Sequence, residues 1–288
     1  MLRQPPGPDP AASARPWSPH AAHAGTGSPF GLQCHQQLPD RAMPGLPLLI
    51  AHAACKGHAP ENTLAGVRAA LALDVDAVEV DVHCSADRVP VLIHDATVDR
   101  TTDGSGPVSA LTLSQLRRLD AGARAFDGRF AGERIPTLAE ALDLTRGRCL
   151  LVVEVKPVGI EREVVAVLRP AADDVMVWSF LPEVVARVRE LAPAVPCALL
   201  SPPLGGRPPD ALFRAALQAG QQAVAVHHRS VDLDLVRHAA RRGLTVFAWT
   251  ADEPDEHRRL LRSGVGGIVT NYPDRLQRAL RDRGTAVD

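Results

Sequence analysis

In the run AVEVDVH, Glu79, Asp81 and His83 stand two residues apart. Strand geometry puts them on one face and Val78, Val80 and Val82 on the other. Buried carboxylates without partners are costly. Either arginines from neighbouring strands pair with these two acids, or one divalent cation satisfies both. The run LLVVEVK repeats the pattern with Val152, Glu154 and Lys156, which adds a third carboxylate. Three carboxylates with water suit a hard cation, Mg²⁺ or Ca²⁺. The Lys156 ammonium is no ligand for such an ion; it suits a phosphate bound to the ion, or a strand-face pair with Glu154.

His52 closes the apolar run LPLLIA, and His94 closes VPVLIH with Asp95 behind it. One histidine at a strand end is usually structural. Two beside a carboxylate cluster point to proton transfer, because imidazole titrates where it can both take and give a proton. Cleaving a phosphodiester needs both: a base for the nucleophile and an acid for the departing alcohol.

Such residues act together only if several strands deliver them to one place. From Leu46 onward, short apolar runs alternate with amphipathic helical stretches, the pattern of βα units around a parallel sheet. Eight runs read as strands, near 47–52, 77–83, 149–155, 174–179, 196–200, 222–227, 243–249 and 266–270. This predicts an α/β fold, a TIM (β/α)8 barrel over 46–288, whose site lies at the C-terminal strand ends. The run from Cys84 to about Pro136 breaks the rhythm with VPVLIHD and the turn-rich TTDGSG, and is expected to be an insertion after the second strand, over the barrel mouth. Residues 1–45, rich in Pro, Ala, Gly, Ser and His, are expected to be disordered or a non-native extension, since Met43 directly precedes the first strand.

Composition removes other classes. The 288 residues carry a formal net charge of −1 and only six Phe, three Trp and one Tyr, so neither a positive field nor a stacking surface is there for nucleic acid. No run approaches the roughly 20 apolar residues of a membrane span, and the N-terminus lacks the apolar core of an export signal. Five scattered cysteines without CxxC spacing read as reduced thiols. The expected location is cytoplasmic, without stable membrane anchoring. Of the 32 lysines and arginines, only Lys56 and Lys156 are lysine. Positions that keep a compact ammonium where arginine is the rule merit a functional reading.

Taken together, HAACKGHAPENT from His52, EVDVH from Glu79, VPVLIHDATVDRTTDGSG from Val89, GERIPTL from Gly132, EVK from Glu154, AWT from Ala248 and GIVTNYPD from Gly267 resemble the glycerophosphodiester phosphodiesterases, over about Pro47 to Asp274. The resemblance implies a small-molecule substrate, a glycerophosphodiester cleaved to glycerol 3-phosphate and an alcohol. It implies one Mg²⁺ or Ca²⁺ on Glu79, Asp81 and Glu154, an acid/base pair at His52 and His94, and Lys156 near the phosphate. Glu61 and His83 would stand behind the metal ligands or on the ion itself, and Trp249 would be an aromatic wall against the substrate. The family usually places Arg and Gly after its first histidine; here Ala53 and Ala54 follow. Lys56, four residues on, is the candidate to supply the missing charge. Two other readings compete: a phospholipase D-like barrel acting on lysophospholipids, and a phosphate-binding barrel without catalysis.

Overall fold

The computed structural model describes residues 46–284; the expectation for residues 1–45 lies outside the described residues. Nine strands follow in chain order: β1 (Leu48–Ala51), β2 (Ala77–Cys84), β3 (Pro90–Leu92), β4 (Leu150–Val155), β5 (Val175–Ser179), β6 (Cys197–Ser201), β7 (Ala223–His227), β8 (Thr245–Trp249) and β9 (Gly267–Thr270). All but β3 are parallel neighbours in the order β1-β9-β8-β7-β6-β5-β4-β2, and β1 also pairs with β2, which closes the barrel. The eight strands expected from the apolar runs are these eight, with ends moved by one or two residues.

The ninth strand belongs to the insertion. β3 folds back antiparallel on β2, with Val82 opposite Leu92 and Cys84 opposite Pro90. Beneath it lies a separate small core of Val91, Ile93, Val98, Val108, Leu116, Ala121 and Ile135. The segment is therefore a packed subdomain held to the barrel by a ladder, and it carries His94 on its inner edge.

Alternation sorts the barrel strands into two layers. Val78, Val80, Val82, Leu151, Val153, Val177, Val224 and Val246 pack outward in the main core, beneath the connecting helices that begin with α1 (Leu64–Ala72). The opposite residues fill the lumen, where Trp178 meets Phe247 with ring centroids 5.2 Å apart. Gly267 makes room for that ring: a Cβ there would stand 2.7 Å from Phe247 Cδ1 and 3.1 Å from Ile50 Cδ1. Trp178 is 2% exposed, and its indole N–H donates to Met176 Sδ at 2.8 Å. Trp178→Ala empties this layer and is expected to cost about 3–5 kcal/mol in denaturant unfolding; a loss below about 1 kcal/mol would show that the lumen collapses around it.

Candidate active site

The barrel places its polar residues where lumen and mouth meet. Asp81 on β2 is directly opposite Glu154 on β4 in the parallel register, and Glu79 lies one pleat deeper. One oxygen from each of Glu79, Asp81 and Glu154 falls within 4.8 Å of the others. Lys156 Nζ stands 2.8 Å from Asp81 Oδ1 and 2.6 Å from Glu154 Oε1. Burial pulls the Lys156 ammonium toward neutrality, but the two carboxylates outweigh it and leave its pKa above the ordinary lysine value.

Whether a divalent cation fits is answered by charge and by one orphaned atom. Three carboxylates against one ammonium leave a net charge of −2 in a nearly buried site. Among the described residues Glu79 Oε1 is buried without a hydrogen-bond partner, although Oε2 accepts from Ala53 N at 2.7 Å. Burial first, then the charges of Asp81 and Glu154, hold the Glu79 carboxyl well above its ordinary value of 4.5. The donor set is all oxygen, as hard cations require, so the residues present fit Mg²⁺ or Ca²⁺.

That raised pKa has a signed consequence. A group whose pKa is raised on folding contributes stability that is complete below its unfolded pKa and is lost as pH rises through the folded one. The proton on Glu79 thus stabilises the metal-free protein at low pH only, while a cation competes with that proton. The increase in Tm given by Mg²⁺ over EDTA is therefore expected to widen as pH rises from about 5 to about 8. An increase that stays constant or narrows would contradict this placement of Glu79.

Local structure shapes the first loop around these acids. Ala53, Ala54 and Cys55 all have positive φ, at 45°, 69° and 127°, a costly conformation for residues with a Cβ. The turn they make aims the Ala53 N–H at Glu79 and lets Asn62 N donate to Ala53 O at 2.9 Å. Each polar residue of PENT then has a distinct duty. Asn62 donates to Asp81 Oδ2 at 2.7 Å and accepts from Asp81 N at 2.9 Å, so it orients that carboxylate. Thr63 caps α1 by accepting from Gly66 N. Glu61 pairs with Lys56 at 2.8 Å and with Arg100 at 2.5 Å, apart from the three-carboxylate cluster.

The two histidines are held in different ways. His52 Nδ1 is 2.8 Å from Asn271 Oδ1. Asn271 Nδ2 donates to Asp252 Oδ2 at 2.7 Å, and since a carboxylate only accepts, the amide oxygen must be the atom facing His52. His52 Nδ1 therefore carries the hydrogen, and Nε2 keeps a free lone pair. Burial lowers the His52 pKa and outweighs the bond to Asn271, so the ring is neutral. His94, half-exposed on the insertion, sets Nδ1 2.8 Å from Asp95 Oδ1, while the Ile93 N–H donates to Asp81 O at 3.0 Å and pins the segment beside the acids. Arg100 holds Asp95 in turn at 2.6 Å, and this bond above all keeps the Asp95 carboxyl well below the usual range. His83 is half-buried, with Nε2 3.3 Å from the His94 carbonyl, which accepts from it.

The structure thus gathers Glu79, Asp81, Glu154 and Lys156, flanks them with His52 and His94, and ties Lys56 to Glu61. Trp249 lies across the mouth, its indole N–H donating to Ala225 O at 3.1 Å. Reasoning from strand alternation missed Asn271, Asp252, Asn62 and Arg100. Asn62, Arg100 and Asn271 lie inside the PENT, DRTT and TNYPD motifs and Asp252 two residues after AWT, but which partner each would take depends on barrel closure. The four cysteines among the described residues are free and buried. Burial pushes the Cys55 thiol up to about 12, so it is inert.

Two histidines, three clustered carboxylates and one ammonium at the mouth of a parallel barrel are the arrangement of a TIM-barrel phosphodiesterase. The model of the glycerophosphoryl diester phosphodiesterase family matches residues 52–275, and the chain belongs to that family. A Bacillus subtilis protein assigned as a glycerophosphodiester phosphodiesterase is 38% identical over 235 residues, 78% of this chain and 95% of that one. The glycerophosphodiester phosphodiesterase of Caldanaerobacter subterraneus is 33% identical over 251 residues, 82% of this chain and 99% of its own. Among solved structures, the Oleispira antarctica phosphodiesterase in complex with sn-glycerol-3-phosphate superimposes with a TM-score of 0.75 at 30% identity, covering 82% of this chain and 97% of that one. The protein is an enzyme, a phosphodiesterase that hydrolyses glycerophosphodiesters.

Proposed function

We propose that the chain hydrolyses small glycerophosphodiesters to glycerol 3-phosphate and a free alcohol, with His52 as base, His94 as acid and Lys156 on the phosphate. The observation that carries this reading is the unlike support of the two histidines. A neutral amide holds His52 with its Nε2 lone pair free, which suits it to take a proton from the nucleophile, either the glycerol hydroxyl beside the ester or water. The Asp95 carboxylate faces Nδ1 of His94 and orients that ring, so that Nε2 is the atom left to hand a proton to the leaving oxygen. One P–O bond forms as its oxygen loses a proton to His52, and the other breaks as its oxygen gains one from His94. Where the glycerol hydroxyl attacks, the cyclic phosphate it forms is then opened by water, His94 taking the water's proton and His52 returning one to the glycerol oxygen.

Glu79, Asp81 and Glu154 would hold one Mg²⁺ or Ca²⁺, which when bound supplies positive charge to a non-bridging phosphate oxygen. Lys156, paired here with Asp81 and Glu154, would add its ammonium charge beside the phosphate. Trp249 walls the substrate at the mouth, and Glu61 and His83 brace the loops that carry Lys56 and His94. A buried alanine at position 53 leaves no side chain there to reach a phosphate, and the Lys56 charge is felt at His52, where it disfavours protonation. Lys56 therefore supplies the second cation, and Lys56→Ala is expected to lower kcat/KM roughly 10- to 1000-fold. Unchanged steady-state kinetics would reduce Lys56 to a brace for Glu61.

Among the described residues no helix is long and apolar enough to cross a membrane. With the near-neutral net charge, this supports a cytoplasmic enzyme without a nucleic-acid partner or stable membrane anchor. The direct test is turnover of glycerophosphocholine, glycerophosphoethanolamine and glycerophosphoglycerol, with lysophosphatidylcholine as comparison, each with and without EDTA. Release of glycerol 3-phosphate that EDTA abolishes is the expected result; turnover confined to the lysophospholipid, or insensitive to EDTA, would overturn it.

A further inference from the structure

Resting on the reading just given, the rim of the barrel divides into two unlike halves. The inward series of β2 runs Glu79, Asp81, His83 and that of β4 Glu154, Lys156. The inward series of β5, β7 and β8 ends in rings: Trp178 leads to Phe180, Ala225 to His227, and Phe247 to Trp249. His227 and Trp249 are direct partners in the ladder. Phe180 and His227 each meet Trp249 nearly at right angles, at 85° and 81°, with centroids 5.4 and 5.2 Å away. Phe180 is 37% exposed at this mouth, one of few large apolar side chains left open to solvent among the described residues.

What this half lacks is as informative as what it has. The Trp249 N–H is committed to the Ala225 carbonyl. His227 Nδ1 accepts from Arg229 N at 3.3 Å. Among the described residues none of the three rings is hydrogen-bonded or ion-paired to a carboxylate. A primary ammonium has three N–H groups to satisfy and a polyol has several hydroxyls; moved from water against these rings, either would lose hydrogen bonds it could not replace. A quaternary ammonium has no donor to lose, and π-faces attract it electrostatically. Burial first and then Arg229 lower the His227 pKa from its ordinary 6.5, against the opposing charge of Glu256.

We propose that Phe180, Trp249 and His227 form the subsite for the leaving alcohol and select a trimethylammonium head group, so that glycerophosphocholine is the preferred substrate. The phosphate then sits on the charged half of the rim and the choline crosses to the aromatic half.

The test compares kcat/KM for glycerophosphocholine and glycerophosphoethanolamine, which differ only in methylation of the amine. The wild-type ratio is expected to be about tenfold or more in favour of choline, carried by KM, and Phe180→Ala should bring it close to one. A wild-type ratio near one, or the same preference in Phe180→Ala, overturns the assignment; a proportional loss on both substrates would mean that the rings hold the glycerol they share. A second measurement needs no turnover. Tetramethylammonium should quench tryptophan fluorescence saturably in the wild type, and Trp249→Phe or Phe180→Ala should abolish that response. Absence of a saturable response in the wild type also overturns the subsite. An enzyme that turns over both diesters without preference defeats only this inference, whereas one that binds tetramethylammonium but cleaves neither defeats the catalytic reading instead.

Discussion

His52→Ala is expected to lower kcat about 100- to 10,000-fold with little change in the amount of folded protein. Among the described residues the one hydrogen bond of the ring is to Asn271. His94→Ala should give a loss of similar size, but the two variants should differ in how rate depends on pH. A base must be unprotonated, so its titration produces the fall in kcat/KM on the acid side; burial lowers the His52 pKa, which places that fall below its ordinary 6.5. His52→Ala is expected to flatten this acid limb. An acid limb that survives in His52→Ala would take the role of base from it. A residual activity within about tenfold of wild type would remove either from proton transfer.

Asp81→Asn is expected to be at least as damaging, with kcat/KM down by about 1000-fold and the Tm increase given by Mg²⁺ abolished. Asp81 carries more of the site than its neighbours. Its Oδ1 faces the Lys156 ammonium, its Oδ2 accepts from Asn62, its backbone N–H donates to Asn62 Oδ1, and its carbonyl accepts from Ile93 in the insertion. An amide of the same shape would set an N–H against either the lysine or the asparagine, donor against donor, and would remove one of the charges a cation needs. Among the described residues Glu154 hydrogen-bonds through its side chain to Lys156 alone, so a smaller loss is expected for Glu154→Gln. A Tm response to Mg²⁺ that survives in Asp81→Asn would mean that Glu79 and Glu154 hold the ion without it.

These expectations share a physical basis. Lys156 compensates both Asp81 and Glu154, and removing a partner leaves a buried group to bear its full desolvation cost. The two supports run outward from the centre in opposite directions, from His52 through Asn271 to Asp252 and from His94 through Asp95 to Arg100 and Glu61. The second closes on Lys56, in the same loop that begins at His52. Loop and insertion are thereby locked to each other, and substitutions at Arg100 or Glu61 act on both histidines without touching substrate.

The residues legible from the sequence are those whose placement depends on local geometry. Period-two alternation in AVEVDVH and LLVVEVK is a property of any strand, so Glu79 with Asp81, and Glu154 with Lys156, had to share faces before any tertiary contact was known. The βα rhythm did the same for the barrel, and the interruption after Cys84 marked the insertion. What the rhythm could not supply is which loops meet. Asn271 reaches His52 across 219 positions because β9 closes beside β1. Arg100 reaches Glu61 across 39 because β3 folds back on β2. Phe180, His227 and Trp249 meet at one rim because three separate strands end at the same height. Strand register carries information two residues at a time; barrel closure decides contacts between residues hundreds apart. The acids of this enzyme were therefore written in its strands, while the partners that tune its histidines and shape its alcohol pocket came from the way the strands close.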